Sequence, residues 1–438
     1  MSHPNILFLT IHDMGDWLGC YGHSTLRTPN LDTLASEGYR FTNSFCSSPV
    51  CSPSRGAQMT GRYPQTNGLM GLIQTPFRWR FNEGEQHLSH LFRDQGYHTV
   101  LFNHQHEAPL EDTLGFQEQR LVNCGQVELL TGELVSTALA TAQEFATFMS
   151  ERKNDDIPFY AQVGFFETHT AYDWSGAQPD DSLGVEIPPY MIDDEDVRKK
   201  IAGLQGAVNY LDNALGVILS ALETNQCKSN TIVIFTVDHG IELPHCKMEL
   251  YDGGIKTGLL VRAPMYSADE GVVCDRLVSN VDVVPTIFDL LDLPIPAFVE
   301  GESFADVFLN TPANSPRGAV YSMMHSHGWF IEARCVRTLE HKLIRNFSPS
   351  RTYIPPFRLL EGKALEERPL LELYDLSNDP SELTNLAHDP EYKHIRDDLD
   401  RLLLGWLESV DDPVLQSPVP SPYYQMAIKD LNRQSGQV

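Results

Sequence analysis

Residues 231–240 read TIVIFTVDHG, a run of seven strand-forming residues followed directly by an acid and a histidine. The run is apolar or β-branched throughout and does not alternate with polar residues. This pattern is typical of a central parallel strand that is buried on both faces. Residues 5–13, NILFLTIHD, repeat the arrangement near the N-terminus. Two strands that each end in a polar pair predict an open α/β sheet with its ligand site at the carboxyl ends of the strands.

Strand and helix patterns alternate around these two segments. Further buried strands are predicted at 159–166 and 259–262, and helices at 28–38 and 196–223. The alternation predicts an α/β fold with a doubly wound, mostly parallel sheet flanked by helices.

The pattern changes after about residue 315. Segments 337–345 and 371–376 are typical of antiparallel strands, and 392–406 of a closing helix. We therefore predict a large α/β domain over residues 1–315, with a smaller C-terminal antiparallel α+β subdomain over 316–438 packed on it.

The charge balance restricts the class of partner. The 438 residues include 59 acids against 32 Lys and Arg, which gives a formal net charge of −27. Nucleic acid is not expected as a partner, because phosphate binding requires a basic face. A small anion can still bind if the few cations converge locally.

The sequence shows no sign of a membrane span or a secretory leader. No apolar run approaches bilayer length, and the first residues lack a charged segment and a cleavage site. We expect no membrane association and a cytoplasmic location, or a periplasmic one if a leader has been trimmed. The eight cysteines are scattered without a CxxC pair, which argues against a disulfide scaffold or a zinc knuckle.

Two polar pairs follow the first and last of the quoted strands. His12 and Asp13 follow residue 11, and Asp238 and His239 follow residue 237. Together they offer a divalent cation two carboxylates and two imidazoles. The alternative is that both acids are helix N-caps and both histidines are loop residues.

A third polar segment is CSPSR at 51–55, followed by TGR at 60–62. A lone cysteine is usually a small buried hydrophobic residue. Pro53, however, fits the first turn of a helix, which places Cys51 near a helix N-terminus. The free N–H groups and the dipole at such an end favour an anion.

The pattern CxPSR followed by TGR resembles that of the formylglycine-dependent sulfatases, a family of the alkaline phosphatase superfamily. The resemblance covers nearly the whole chain and is strongest to the heparan N-sulfatase (sulfamidase) branch. It is carried by PNILFLTIHDMGDWLGCYG, TPNLDTLASEG, SSPVCSPSRGAQMTGRYPQTNGLMGL, GFFETHTAYD, VIFTVDHG, KMELYDGGIK and LYDLSNDPSELTNLAHDP.

The resemblance implies a role for each matching residue. Cys51 would be converted to formylglycine by a formylglycine-generating enzyme, and its hydrate would be the nucleophile. Arg55 would hold and polarise it, and His106 would assist its hydroxyls. Lys247 would contact the sulfate, while His169 would bind sulfate and protonate the leaving group.

The same resemblance implies one divalent metal, held by Asp13, Asp238 and His239 together with residue 51 and His12. The sequence departs from the family at two positions, since His12 replaces the first acid of an Asp-Asp pair and His104 replaces a lysine. Calcium is the first expectation for the metal. Manganese and zinc are alternatives, because an imidazole in place of a carboxylate suits them better than it suits calcium, and magnesium is a further possibility.

The implied activity is hydrolysis of a sulfate ester or sulfamate, with an anionic sulfated small molecule or glycan, and a sulfated sugar first, as substrate. A phosphonate monoester or phosphodiester hydrolase of the same superfamily is one alternative. A catalytically silent protein that binds sulfated glycans is another. Related sulfatases are often dimers, so by analogy a homodimer is a further expectation.

Overall fold

The computed structural model describes residues 3–74, 76–109, 114–121, 127–128, 134–152, 155–266, 271–309, 316–327, 330–348 and 368–434. Cys124 and residue 315, at the predicted domain boundary, lie outside these ranges. The strands are β1 Asn5–Ile11, β2 Tyr39–Phe45, β3 His98–Asn103, β4 Glu118–Arg120, β5 Val127–Glu128, β6 Leu134–Val135, β7 Phe159–Gly164, β8 Thr231–Val237, β9 Leu259–Arg262, β10 Val272–Ser279, β11 Val320–Ser326, β12 Phe330–Arg337, β13 His341–Asn346 and β14 Leu371–Asp375. The helices are α1 Pro29–Ser36, α2 Cys51–Thr60, α3 Pro64–Asn67, α4 Leu88–Asp94, α5 Ala138–Glu151, α6 Glu195–Thr224, α7 Asp252–Ile255, α8 Val283–Leu290, α9 Asp306–Leu309, α10 Lys393–Ser409 and α11 Pro422–Gln434.

The large sheet has eight strands in the order β10-β2-β9-β8-β1-β7-β3-β4. Every neighbouring pair is parallel except those of β9, which runs antiparallel to both β2 and β8. All seven residues of β1 and all seven of β8 are buried, as expected for strands covered by helices on both faces. The predicted doubly wound, mostly parallel sheet is confirmed.

The bounds of β1, β8 and β9 agree with the predicted segments residue for residue, whereas the direction of β9 was not predicted. A short apolar run specifies burial but not polarity, because parallel and antiparallel central strands have the same side-chain pattern. The strand predicted at 159–166 ends earlier, at Gly164. Two apolar layers, one on each face, bury the sheet.

A second sheet has four antiparallel strands in the order β11-β12-β13-β14. One face, with Ala333 and Ile344, packs against the segment around Cys51 and Tyr251. The other face, with Leu343, packs against α10 and residues of α2. The small sheet thus packs against the elements that carry the polar segments next to the large sheet. Among the helices of the described ranges, none is both long and apolar enough to cross a bilayer.

Candidate active site

The two polar pairs lie side by side because their strands are neighbours. Ile11 of β1 is paired in register with Val237 of β8, so the residues that follow leave the same edge of the sheet. The backbone N–H of Asp13 donates to Asp238 Oδ1 at 2.9 Å. Asp13 has φ = 43°, a conformation uncommon for a residue other than glycine. This turn directs the Asp13 carboxylate into the site.

Cys51 is the first residue of α2, as the proline two positions later predicts. Its side chain is buried, with Sγ 3.2 Å from His239 Nε2 and 3.9 Å from Asp13 Oδ1. Burial is the main reason that the pKa of this thiol lies well above its usual value, against the pull of Lys247. An unmodified Cys51 is therefore a neutral thiol, which is a weak nucleophile.

Two buried cations face the two acids. Arg55 Nε donates to Asp238 Oδ2 at 3.1 Å, and Lys247 Nζ donates to Asp13 Oδ2 at 2.6 Å. Burial alone would raise the pKa of Asp13, but Lys247 and the nearby imidazoles outweigh it and hold that pKa well below its usual range. The pKa of Asp238 is also lowered, since His239, His12 and Arg55 together outweigh burial.

The Arg55 guanidinium retains an open donor. Its Nη1 donates to Thr10 Oγ1 at 3.2 Å, whereas its buried Nη2 has no partner among the described residues. A buried N–H without an acceptor is costly, so such a group in a cleft points to a ligand. The ligand that matches a guanidinium is an anion.

Three buried histidines lie on the opposite side of these acids. The Nε2 atoms of His12 and His104 are 2.7 Å apart and share one hydrogen. His106 Nε2 lies 3.0 Å from Gln74 Oε1, to which it donates. Burial, then the neighbouring His12, lowers the pKa of His104 and of His106 well below the usual value, so both rings are neutral. Gly164 permits this packing, because a Cβ there would lie 1.7 Å from the His104 carbonyl oxygen.

His169 lies at the more open side of the site, with 24% of its side chain exposed. Its Nδ1 donates to the Thr170 carbonyl at 2.6 Å, which leaves Nε2 facing Lys247 Nζ at 3.2 Å and Asp13 Oδ2 at 3.7 Å. Burial lowers its pKa, and the Asp13 carboxylate opposes that shift. The ring can therefore deliver or accept a proton beside Lys247.

The residues present fit a divalent cation. His12, Asp13, Cys51 and Asp238 each place a ligand atom within 4.8 Å of the others. His12 Nδ1 lies 3.1 Å from Asp238 Oδ2 and 3.6 Å from Asp13 Oδ1, so this nitrogen and the two carboxylates converge on one point. His239 Nδ1 donates to the Gly240 carbonyl at 2.9 Å, which fixes its Nε2 as an acceptor toward the same point. Carboxylates mixed with imidazole suit manganese or zinc as well as calcium.

The structure thus brings together every residue predicted for the site, and it adds two that the sequence did not indicate. Glu242 Oε2 lies 3.3 Å from Lys247 Nζ and accepts a hydrogen bond from the Thr170 hydroxyl at 2.5 Å. Burial, then the charge of Lys247, lowers the pKa of His327 to about 4, so this imidazole at the end of β11 belongs to the same surroundings. The only sequence signal for Glu242 is its position four residues after Asp238. His327 had none.

Comparison with known proteins agrees with this geometry. A family model described as Sulfatase matches residues 4–293, and one described as N-sulphoglucosamine sulphohydrolase, C-terminal, matches 245–354. An ulvan-active sulfatase of Formosa agariphila is 28% identical, covering 94% of this chain and 76% of its own. The human N-sulphoglucosamine sulphohydrolase is 26% identical, covering 94% and 92%.

Two solved structures share the fold at lower identity. One, titled as in complex with its substrate D-glucosamine-2-N,6-O-disulfate, superposes with a TM-score of 0.73 at 18% identity and covers 95% of this chain and 100% of its own. The other is the phosphonate monoester hydrolase of Agrobacterium radiobacter, with a TM-score of 0.70 at 19% identity, covering 93% and 96%.

Proposed function

Because the chain belongs to the sulfatase family, we propose that it hydrolyses the sulfate ester or sulfamate of a sulfated sugar, with residue 51 as the nucleophile. The observation that carries the proposal is the position of Cys51. It lies at a helix N-terminus, beside Asp13 and His239, on the helix that also carries Arg55 with its open Nη2 donor.

Two groups would complete this site, and the residues present fit both. Conversion of Cys51 to formylglycine by a formylglycine-generating enzyme supplies an aldehyde hydrate, which has one hydroxyl to attack sulfur and a second to release the bound sulfate. A divalent cation held by Asp13, Asp238, His12 and His239 supplies positive charge beside the sulfate oxygens. The unconverted Cys51 would not serve as the nucleophile, since a neutral, buried thiol is poorly activated.

Other side chains of this protein bind the sulfate and transfer protons. Arg55 and Lys247 are fixed cations that neutralise the sulfate oxygens in a buried site, where such preorganised charge is most effective. His169, next to Lys247 and partly exposed, gives a proton to the departing oxygen or nitrogen of the sugar. The neutral rings of His104 and His106 can accept a proton when the sulfate is released.

The proposed substrate class follows from the relatives. The human relative is named for an N-sulfated glucosamine, the Formosa agariphila relative for the polysaccharide ulvan, and the substrate-bound neighbour for a sulfated glucosamine. All three names denote sulfated sugars, and they differ in the type of sulfate. We therefore propose that the substrate of this chain is a sulfated sugar, without specifying the type of sulfate.

The deciding experiment measures sulfate release from a panel of sulfated monosaccharides and disaccharides, including an N-sulfated one. Mass analysis of the peptide that contains residue 51 tells thiol from aldehyde in the same sample. Cys51→Ala should reduce turnover at least about 10³-fold with the fold intact, because no nucleophile remains. Cys46→Ala is the matched control, since Cys46 is an equally buried cysteine of the same apolar cluster.

Near-normal turnover by Cys51→Ala would contradict the proposed nucleophile. A converted protein that releases no sulfate from any sugar would contradict the substrate class. An unconverted protein that binds the sugars without turnover would instead favour the silent glycan binder.

The second candidate is a phosphonate monoester hydrolase, favoured by the fold shared with the Agrobacterium radiobacter enzyme. An aldehyde hydrate and an Asp-His metal pair could serve either reaction. Rates on nitrophenyl sulfate and phenyl phosphonate, measured side by side on one preparation, decide between the two. We expect the sulfate to be the faster substrate.

A further inference from the structure

A pocket outside the catalytic centre lies between the loop that follows β7 and the first turns of α6. Its volume of about 360 Å³ lies in the range of sites for small molecules. Thr170, Tyr172, Asp173 and Pro179 form one wall, and Lys199 and Lys200 form the other. The lining combines an apolar floor with charged groups at the rim, which suits a polar ring with a charged substituent.

This pocket is connected to the catalytic centre through direct contacts. The Thr170 hydroxyl, at the pocket wall, donates to Glu242 Oε2 at 2.5 Å. The same oxygen lies 3.3 Å from Lys247 Nζ, the cation proposed to hold sulfate. The pocket wall and the sulfate-binding cation are thus linked through one carboxylate, which places the pocket next to the catalytic centre.

Tyr172 stands between the pocket and the centre. Its side chain is only 8% exposed, and its hydroxyl has no hydrogen-bond partner among the residues that the structure describes. Its pKa is raised by burial first and then by the Asp13 and Glu242 carboxylates, so the hydroxyl lies near the catalytic acids. A buried hydroxyl without a partner at this position can bond to a sugar that passes from one site to the other.

The cations of the pocket wall belong to a basic segment of an otherwise acidic protein. Arg198, Lys199 and Lys200 form the only run of three basic residues in a sequence of net charge −27. Arg198 is paired with Asp193, and Lys199 pairs with Glu195 at 2.7 Å through exposed side chains, an interaction that is weak in water. Within the described ranges Lys200 has no carboxylate at ion-pair distance. Both lysines are thus free to meet an anion.

We propose that this pocket is a second carbohydrate subsite, which binds the residue next to the sulfated sugar through an anionic substituent held by Lys199 and Lys200. The inference rests on the proposed function, since it takes the sulfate at Lys247 as its reference point. The ligand class is an oligosaccharide with at least two anionic groups. The second group is a sulfate ester or a sugar carboxylate, both of which an ammonium group can bind. Asp173, on the same wall, would accept a hydrogen bond from a ring hydroxyl.

The test compares the wild type with the double variant Lys199→Ala/Lys200→Ala on three disaccharides that share the cleaved sulfate. Their second residue carries a sulfate, a carboxylate or no charge. The variant should raise KM about tenfold for one or both anionic disaccharides and less than twofold for the neutral one, with kcat unchanged, because a lost ion pair weakens binding and not chemistry. Lys393→Ala is the matched control, because Lys393 is an equally exposed lysine paired along a helix with Asp397.

Comparing the two anionic disaccharides shows whether the pocket prefers a sulfate or a carboxylate on the second sugar residue. Equal changes of KM for the anionic and neutral disaccharides, or no change for any of them, would overturn the subsite. The dissociation constants of the same disaccharides with Cys51→Ala protein give a reading that needs no turnover. If no disaccharide is hydrolysed, the proposed function fails, while the ratio of these constants between the lysine variant and its parent still decides the subsite.

Discussion

The catalytic centre has two halves of opposite character. The oxygen half, Asp13 and Asp238, consists of two carboxylates that lie beside Cys51 and are bound to the buried cations Lys247 and Arg55. The histidine half, His12, His104 and His106, bonds within itself and to an amide, and burial keeps the pKa values of the last two low. The first half agrees with the family pattern throughout, whereas the second contains both departures from it.

The two residues that depart from the family pattern, His12 and His104, are in direct contact with each other. In the family pattern an acid stands at position 12 and a lysine at 104, which sums to zero charge. In this chain two imidazoles stand there, and their Nε2 atoms lie 2.7 Å apart. We expect the two substitutions to be coupled, because either family charge alone would be buried here without its partner.

The largest expected effect comes from breaking the oxygen half. Asp13→Asn should lower kcat/KM about 10³-fold, because the carboxylate that holds Lys247 and faces residue 51 loses its charge. Asp16→Asn is the control, since it removes a carboxylate paired with Lys256 at 3.0 Å in the same loop. Rates on nitrophenyl sulfate and thermal midpoints of both variants give the measurement. Equal losses of rate in the two variants would mean that Asp13 acts only through the fold.

A smaller effect is expected when the histidine half is altered as a pair. His12→Asp alone and His104→Lys alone should each cost about 10- to 100-fold in rate, because each leaves a buried charge without its partner. The double variant should recover most of the loss, and the double-mutant cycle measures the coupling. Metal content after dialysis against equal calcium and zinc is a second reading, which should shift toward calcium as an oxygen ligand replaces a nitrogen. Additive losses would show that the two substitutions are independent.

The two halves were not equally predictable from the sequence. Asp13 and Asp238 could be placed together because each comes at the end of a mainly apolar strand, and the carboxyl ends of parallel neighbours share one edge. The contact of His12 with His104 joins residues 92 positions apart and depends on how the chain turns after β3, where Asn103 and His106 have positive φ. No periodicity encodes such turns, so each substitution could be recognised separately but their contact could not.

The small sheet illustrates the same limit. The predicted segments 337–345 and 371–376 correspond to β13 and β14, whereas β11 and most of β12 were not predicted, and neither was the ionic contact of the sheet with the catalytic side. Lys342 of β13 is buried between Asp252, 2.6 Å away, and Glu382, 2.7 Å away, beside the segment that carries Lys247. Pairing among charges so far apart in sequence is decided by packing, which composition and spacing do not report.

The smallest expected effect concerns Glu107, a fully buried residue that follows the histidine half. Burial, opposed by the charge of Arg55, raises its pKa from 4.5 to about 8, so the folded protein keeps this carboxyl protonated at neutral pH. The unfolded chain ionises it above pH 4.5. Wild-type stability should therefore fall, through this residue, as the pH rises from 4.5 to 8.

Glu107→Gln mimics the protonated carboxyl and removes this pH dependence. Gln162 Nε2 can still donate to the amide oxygen, as it does to Glu107 Oε1 at 3.4 Å. The free energy of unfolding of the variant should equal that of the wild type near pH 4.5 and exceed it by about 1–3 kcal/mol near pH 8, since each unit of pKa shift is worth roughly 1.4 kcal/mol. Denaturant titrations at several pH values measure the difference, in which every other titrating group cancels. A difference that does not change with pH would mean that Glu107 is ionised in the folded protein at neutral pH.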